Sequence, residues 1–287
     1  MKKPGIFLIL VISTLLTGCS NESKEFSQDQ VANATNLKEK AVVEDLSQYF
    51  KGYDASFLIY DKNKNEYIIH NEAKSQKRVS PCSTFKIVNS LVGLEANVLV
   101  DENTTFAWDG TQYPNDAWNK DQTLASAVSS SAFWYFQKVA SSVGREKMQS
   151  YLDNIGYGNK DISGGITQFW QQSSLKISPR EQVEVLKRIY AYQIPISKKN
   201  IDTVKKILVL SKDNNAVLSG KTGSGLKSSR FVQQGQDDHY VIGWFVGYLE
   251  KNNNVYFFAT NIEADKNAMG SMAKEITLKI LKDKGLL

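Results

Sequence analysis

The chain has 287 residues, of which 41% are hydrophobic and 23% charged, the composition of an ordinary globular protein that can bury a full core. The formal net charge is +5, but the basic residues are scattered and form no stripe with interleaved aromatic residues, which argues against nucleic-acid binding. Two cysteines and two histidines, none in a metal-type spacing, argue against a metal site.

The first 44 residues are predicted to be a targeting and anchoring segment. Two lysines precede a short apolar run over residues 6–16, which is typical of a secretory signal peptide and too short for a confident membrane span. Leu16-Thr17-Gly18-Cys19 resembles the lipobox of bacterial lipoproteins, which implies a diacylglycerol on Cys19. The alternative is an ordinary signal peptide with a chance cysteine. We predict a signal peptide (1–18), a flexible polar tether (19–44) and a folded domain (45–287), secreted across the cytoplasmic membrane and lipid-anchored to its outer face.

Strand patterns fall at the two ends of this domain. They cover residues 55–60, 66–70, 216–222, 240–249 and 255–262, with a hairpin turn over 62–65. Helical patterns begin at Ser83 and cover 182–192, 199–211 and 267–283, whereas residues 100–180 show short helical patterns and few strand signals. An economical arrangement pairs the terminal strands in one antiparallel sheet, packs the middle of the chain as a helical lobe, and leaves a ligand cleft between them. We therefore expect an α+β fold.

The segment Ser83-Thr84-Phe85-Lys86 places a serine and a lysine one helical turn apart on the same face. A serine hydroxyl is a weak nucleophile until a base takes its proton. A lysine is such a base only when it is uncharged, since its unperturbed pKa is about 10.4. Ser83 stands out because Pro81 precedes it and an apolar helix follows. The pattern alone is weak, because three other pairs match it: Ser173–Lys176, Ser224–Lys227 and Ser271–Lys274.

A second motif, Lys221-Thr222-Gly223, ends a strand pattern far downstream. Its lysine offers a positive charge, its threonine offers hydrogen bonds to an anionic substrate, and its glycine lets a ligand approach the backbone closely. Together, a Ser-x-x-Lys motif and a distant Lys-Thr-Gly motif resemble the signature of penicillin-recognising serine enzymes.

Further motifs resemble the class D (oxacillinase-type) serine β-lactamases in particular. The chain has no Ser-Asp-Asn tripeptide. Instead, Ser131 resembles the serine of the class D Ser-x-Val motif, with Phe133 in place of the valine. Tyr157-Gly158-Asn159 matches another class D motif, and Phe169-Trp170 resembles a class D loop whose tryptophan holds a modified lysine. The resemblance runs from about residue 50 to residue 285.

This resemblance implies a β-lactamase/penicillin-binding transpeptidase-like fold, with a central antiparallel sheet flanked by helices and a mostly helical lobe. It implies hydrolysis of β-lactam antibiotics through an acyl-enzyme on Ser83, and hence antibiotic resistance. Lys86, carboxylated by CO2 on its side-chain nitrogen, would be the general base for acylation and deacylation, and Ser131 would relay a proton. Trp170 and Phe133 would support the modified lysine. No metal or other cofactor is expected.

The predicted substrate-binding residues are Lys221, Thr222, Gly223 and Ser224. Class D enzymes usually carry an arginine near the last helix for the substrate carboxylate, and this chain has Ala273 there. Lys274, Lys221, Thr222 and Ser224 all stay candidates for that role. The oxyanion would be held by the backbone N–H of Ser83 and one near Ser224.

Two related functions are alternatives. A β-lactam sensor domain resembles class D enzymes but is acylated without turnover. Such receptors normally carry several membrane spans and a metalloprotease domain, which we do not find in this sequence, so we expect the enzyme. A penicillin-binding protein that acts on peptidoglycan peptides is disfavoured by the missing Ser-Asp-Asn and by Tyr157-Gly158-Asn159. The expected partners are a small β-lactam and, through Cys19, a membrane.

Overall fold

The computed structural model describes Met1 and residues 39–213, 215–227 and 239–287. The predicted signal peptide, Cys19 and most of the predicted tether lie outside these residues, so their assignments stay predictions. From Glu39 to Leu287 the chain forms one unit with its own cores. No helix in the described part of the chain is long and apolar enough to cross a membrane.

A seven-stranded sheet runs through this unit, and a two-stranded sheet lies beside it. In chain order the strands are β1 (Lys40–Val43), β2 (Asp54–Asp61), β3 (Glu66–His70), β4 (Thr105–Phe106), β5 (Gln122–Thr123), β6 (Val209–Lys212), β7 (Ala216–Leu226), β8 (Tyr240–Lys251) and β9 (Asn254–Glu263). The large sheet has the order β1-β3-β2-β9-β8-β7-β6, and β4 pairs with β5. The predicted pairing of strands from the two ends of the domain is confirmed, because β2 is antiparallel to β9.

Strand β1 corrects two details of the prediction. It pairs with β3 in parallel, so the sheet is mixed rather than purely antiparallel. It also lies within the range predicted as a flexible tether, so the folded part of the chain begins before residue 45. All four residues of β1 are exposed, and a strand with solvent on both faces shows no hydrophobic alternation that a sequence pattern could reveal.

Eight helices surround the sheet and build a lobe beside it. They are α1 (Glu72–Ser75), α2 (Lys86–Glu95), α3 (Leu124–Ser130), α4 (Phe133–Val143), α5 (Arg145–Ile155), α6 (Pro179–Tyr190), α7 (Lys198–Ile207) and α8 (Gly270–Asp283) among the described residues. Every residue of α2 except the last is buried, because α4 and α7 pack against it. The helical lobe between the two groups of strands is therefore confirmed.

Two cores cover the two faces of the sheet. Successive side chains of a strand point to opposite faces, and β2 follows this rule. Leu58 and Tyr60 join the larger core, which continues into α6 and the helical lobe, whereas Phe57 and Ile59 join the smaller core under α8. The sheet is thus buried on both faces, which holds β7 and α2 in a fixed relation.

The helix predicted over 199–211 is too long. It ends at Ile207, and the chain continues as the edge strand β6, which pairs with β7. Val209 and Leu210 are exposed, so no burial pattern separates the strand from the preceding helix. Pairing with β7, the next strand along the chain, decides the conformation here, and the exposed residues of β6 carry no burial pattern that would show it.

Candidate active site

The predicted nucleophile and its predicted base lie in contact. Ser83 lies in a 3₁₀ turn, Cys82–Phe85, that runs directly into α2. The Nζ of Lys86 donates a hydrogen bond to the Oγ of Ser83 over 2.6 Å. Lys86 is almost fully buried, at 1% exposure, and Ser83 is buried at 9%. The serine is therefore the more exposed of the two.

The surroundings of Lys86 disfavour its charge. Its Nζ lies 5.5 Å from the centre of the Phe136 ring, and no described carboxylate forms an ion pair with it. Burial, and then the nearby positive charge of Lys221, lower the pKa of Lys86 well below that of a free lysine. The neutral amine, which can accept a proton or react as a nucleophile, is therefore more favoured in Lys86 than in a free lysine.

Aromatic rings form the wall of this pocket. Trp170 stacks on Phe85 with 5.6 Å between ring centres, and Phe133 lies 5.9 Å from Trp170. Trp170 is completely buried, yet its indole N–H has no hydrogen-bond partner among the described residues. A buried donor without a partner is costly and uncommon, so this indole N–H can accommodate an acceptor that the protein atoms do not supply.

Backbone contacts fix the Trp170 loop against the nucleophile's turn. The carbonyl oxygen of Trp170 accepts hydrogen bonds from the Cys82 N–H, over 3.0 Å, and from the Ser80 hydroxyl, over 2.8 Å. The indole N–H of Trp244, on β8, donates to the carbonyl of Ser80 over 2.8 Å. The sheet thereby positions the turn, and the turn positions Trp170.

Strand β7 brings the second motif to the same place. The Nζ of Lys221 donates a hydrogen bond to Ser131, which follows α3 in a left-handed conformation with φ 58°. Burial, and then the charge of Lys274, lower the pKa of Lys221 to about 7. A Cβ at Gly223 would lie 3.0 Å from the carbonyl oxygen of Pro81, so a larger residue would push the strand away from the turn. This close approach explains why position 223 is a glycine.

The structure thus brings the predicted residues together from two helices, a loop and a strand. The residues that meet here are Ser83, Lys86, Ser131, Lys221, Gly223, Trp170 and Phe133. Strand β7 also carries Thr222 and Ser224, which lie beside α8. The chemical roles assigned to them stay predictions. Within the described ranges, no three His, Cys, Asp or Glu side chains are grouped as metal ligands usually are.

Sequence reasoning missed three residues of the site. Phe136 contacts Lys86 from α4, Ser80 ties the Trp170 loop to the sheet, and Cys82 holds a left-handed conformation with φ 49° directly before the nucleophile. Phe136 belongs to a strongly apolar run that could have suggested burial. Neither Ser80 nor Cys82 carries a local signal, because their contacts join segments far apart in the chain.

Comparison with known proteins finds a matching family model and several similar proteins. The family model of the penicillin-binding protein transpeptidase domain matches residues 55–282. A probable β-lactamase, YbxI of Bacillus subtilis, is 35% identical over 99% of both chains. The regulatory protein BlaR1 of Bacillus licheniformis is 38% identical over 99% of this chain, which spans 46% of that protein's length. The solved class D β-lactamase BAT-2 is 38% identical, with a TM-score of 0.78 over 85% of this chain and 97% of its own.

Proposed function

Because this chain belongs to the penicillin-binding transpeptidase domain family, in its class D β-lactamase group, we propose that it hydrolyses β-lactam antibiotics through an acyl-enzyme on Ser83. The observation that carries the proposal is the contact between Ser83 and Lys86. Lys86, buried at 1% exposure and with no carboxylate paired to it among the described residues, lies 2.6 Å from the hydroxyl of Ser83, which is the geometry of an activated nucleophile.

Acylation follows from these positions. The Oγ of Ser83 attacks the β-lactam carbonyl carbon, and its proton passes to the base at Lys86. The new C–O bond replaces the C–N bond of the ring when the tetrahedral intermediate collapses. Ser131 gives its hydroxyl proton to the leaving nitrogen and takes one from Lys221, whose pKa of about 7 makes that transfer easy near neutral pH.

Capture of CO2 by Lys86 fits the site. A neutral amine reacts with CO2 to form a carbamate and releases a proton, and the low pKa of Lys86 supplies that amine. The pocket also holds an unpartnered buried donor, the indole N–H of Trp170, which suits a carbamate oxygen. When present, the carbamate supplies an anionic base that activates water against the acyl-enzyme. Phe133, Phe85 and Phe136 exclude bulk water from the amine.

A second candidate is a sensor that stops at the acyl-enzyme. It is favoured by the 38% identity to BlaR1, a regulatory protein. Both candidates need Ser83 and Lys86 for acylation, so the geometry described above serves either. They differ in the deacylation step, which requires a base that is still competent after acylation.

Turnover distinguishes the candidates. We would mix the full chain with a chromogenic cephalosporin in bicarbonate buffer, and follow hydrolysis and the mass of the protein together. The proposal predicts many product molecules per chain and an adduct on Ser83 that disappears once substrate is exhausted. One product equivalent with a persistent adduct would identify the sensor instead. Neither product nor adduct would contradict both.

A further inference from the structure

The first turn of α8 lies directly against the end of β7 that carries the Lys-Thr-Gly motif. A Cβ at Gly270 would lie 2.6 Å from the carbonyl oxygen of Gly223 and 3.0 Å from the Cβ of Thr222, so only a glycine permits this approach. The N–H of Gly270 donates to the Oγ of Ser224 over 2.9 Å. The first turn of α8 therefore lies beside the predicted substrate-binding residues of β7.

Ala273 cannot contact a substrate. It is completely buried in the core between α8 and the sheet. The next residue, Lys274, is half-buried and lies one helical turn after Gly270, so the two share the helix face that meets β7. Its positive charge contributes to lowering the pKa of Lys221, as expected for a lysine on the helix face beside β7.

Lys274 has no counter-ion within residues 39–213, 215–227 and 239–287. Several other lysines of the unit are paired with carboxylates: Lys74, Lys187, Lys198, Lys206 and Lys284. Two like charges close together without an anion are unfavourable. An anion that bound between Lys274 and β7 would relieve this repulsion.

Of the groups that could bind such an anion, Lys274 is the best suited. Lys221 already donates to Ser131, and its pKa of about 7 leaves it partly uncharged at neutral pH. The Ser224 hydroxyl already accepts from Gly270, and both it and Thr222 are neutral. Lys274 alone in this group combines partial exposure with an amine that forms no ion pair within the described residues.

We propose that Lys274 is the specificity-determining residue that binds the carboxylate of the β-lactam, in place of the arginine that class D enzymes usually carry. The inference rests on the proposed function and names the substrate class as β-lactams with a free carboxylate. It assigns Lys274 to binding and orientation, and leaves the chemistry at Ser83 to the residues already described.

The test compares a β-lactam that has a free carboxylate with the uncharged ester of the same compound. We would measure the second-order rate of Ser83 acylation by mass spectrometry with benzylpenicillin and with its methyl ester. This readout needs no turnover, so it applies to enzyme and sensor alike. In Lys274→Gln, acylation by benzylpenicillin should slow by about tenfold, typical of one lost charge-assisted hydrogen bond, while acylation by the ester should be unchanged.

Two matched variants serve as controls. Lys274→Arg should keep most of the wild-type rate with benzylpenicillin. Lys282→Gln removes a charge from the exposed far end of the same helix and should change neither rate. An unchanged rate in Lys274→Gln, or an equal loss with acid and ester, would overturn the inference while the proposed function stands. A wild-type protein that neither compound acylates would overturn both.

Discussion

Two buried lysines, at different places in the fold, have opposite surroundings. Lys74, in α1, is 5% exposed, and its Nζ lies 2.8 Å from a carboxylate oxygen of Asp54 and also contacts Glu263. Lys86, in α2, is 1% exposed and faces a serine hydroxyl and an aromatic ring. Lys74 joins α1 to strands β2 and β9, whereas Lys86 lies under the cleft.

The difference shows that burial alone does not make a lysine a base. A neighbouring carboxylate stabilises the ammonium form and compensates for lost hydration, whereas an apolar pocket does neither. No carboxylate of the described residues pairs with Lys86, and its pKa is lowered accordingly. Lys74, by contrast, forms ion pairs that join α1 to the sheet.

The largest effect is expected from replacing each lysine by methionine. Lys86→Met should lower kcat/KM for a β-lactam by at least about a thousandfold, because the nucleophile loses its base. Its free energy of unfolding should stay the same or increase, since a buried amine without a counter-ion is removed. Hydrolysis kinetics and urea denaturation measure the two quantities.

Lys74→Met should show the reverse pattern. Removing the ammonium leaves Asp54 and Glu263 near each other without a cation, so the free energy of unfolding should fall by about 1–2 kcal/mol. Because these carboxylates are partly exposed, the loss is modest and the folded protein should retain its kcat. Equal activity losses in both variants would refute the contrast.

An intermediate effect is expected from giving Lys86 a counter-ion. Cys82 is buried close enough to interact electrostatically with Lys86, and its left-handed backbone is one that Asp and Asn tolerate. In Cys82→Asp the carboxylate should raise the pKa of Lys86, so the acidic limb of the pH–rate profile should move up by about 1–2 pH units. Cys82→Asn has the same shape without the charge. Coincident profiles for the two variants would contradict the prediction.

The sequence allowed the two motif lysines and the nucleophile to be predicted, because the Ser-x-x-Lys spacing and the strand before Lys221 are local patterns. Ser131 needed the family resemblance, since its role depends on a contact with Lys221 across 90 residues of chain. The absence of a counter-ion near Lys86 could not be predicted. It is a property of every segment packed around the pocket, which only the folded chain defines.

The strands, too, divide into those that a local sequence pattern predicts and those that it does not. Strands with alternating or continuous apolar runs, such as β2 and β9, were predicted near their true positions. The exposed edge strands β1 and β6 were not, because neither buries a face and both are defined by backbone pairing with another strand. The ion pairs of Lys74 could not be predicted either, because its partners lie 20 and 189 residues away.

The smallest effect concerns two buried tryptophans. Trp170 has a free indole N–H, whereas that of Trp134 donates to the carbonyl of Trp118 over 2.9 Å. Trp170→Phe should slow turnover by about tenfold, as loss of one hydrogen bond to the base implies. Trp134→Phe should keep more of its turnover but lose about 1 kcal/mol more stability, because it breaks a bond already formed. If the two losses were exchanged, the assignment of Trp170 would fail.

The most direct test of the central claim is a carbon NMR spectrum recorded after adding ¹³C-labelled bicarbonate. If a lysine buried without a counter-ion captures CO2, the wild-type protein should show one carbamate resonance. Lys74→Met should keep this resonance and Lys86→Met should lose it. A wild-type spectrum without the resonance, or a resonance that persists in Lys86→Met, would contradict the account.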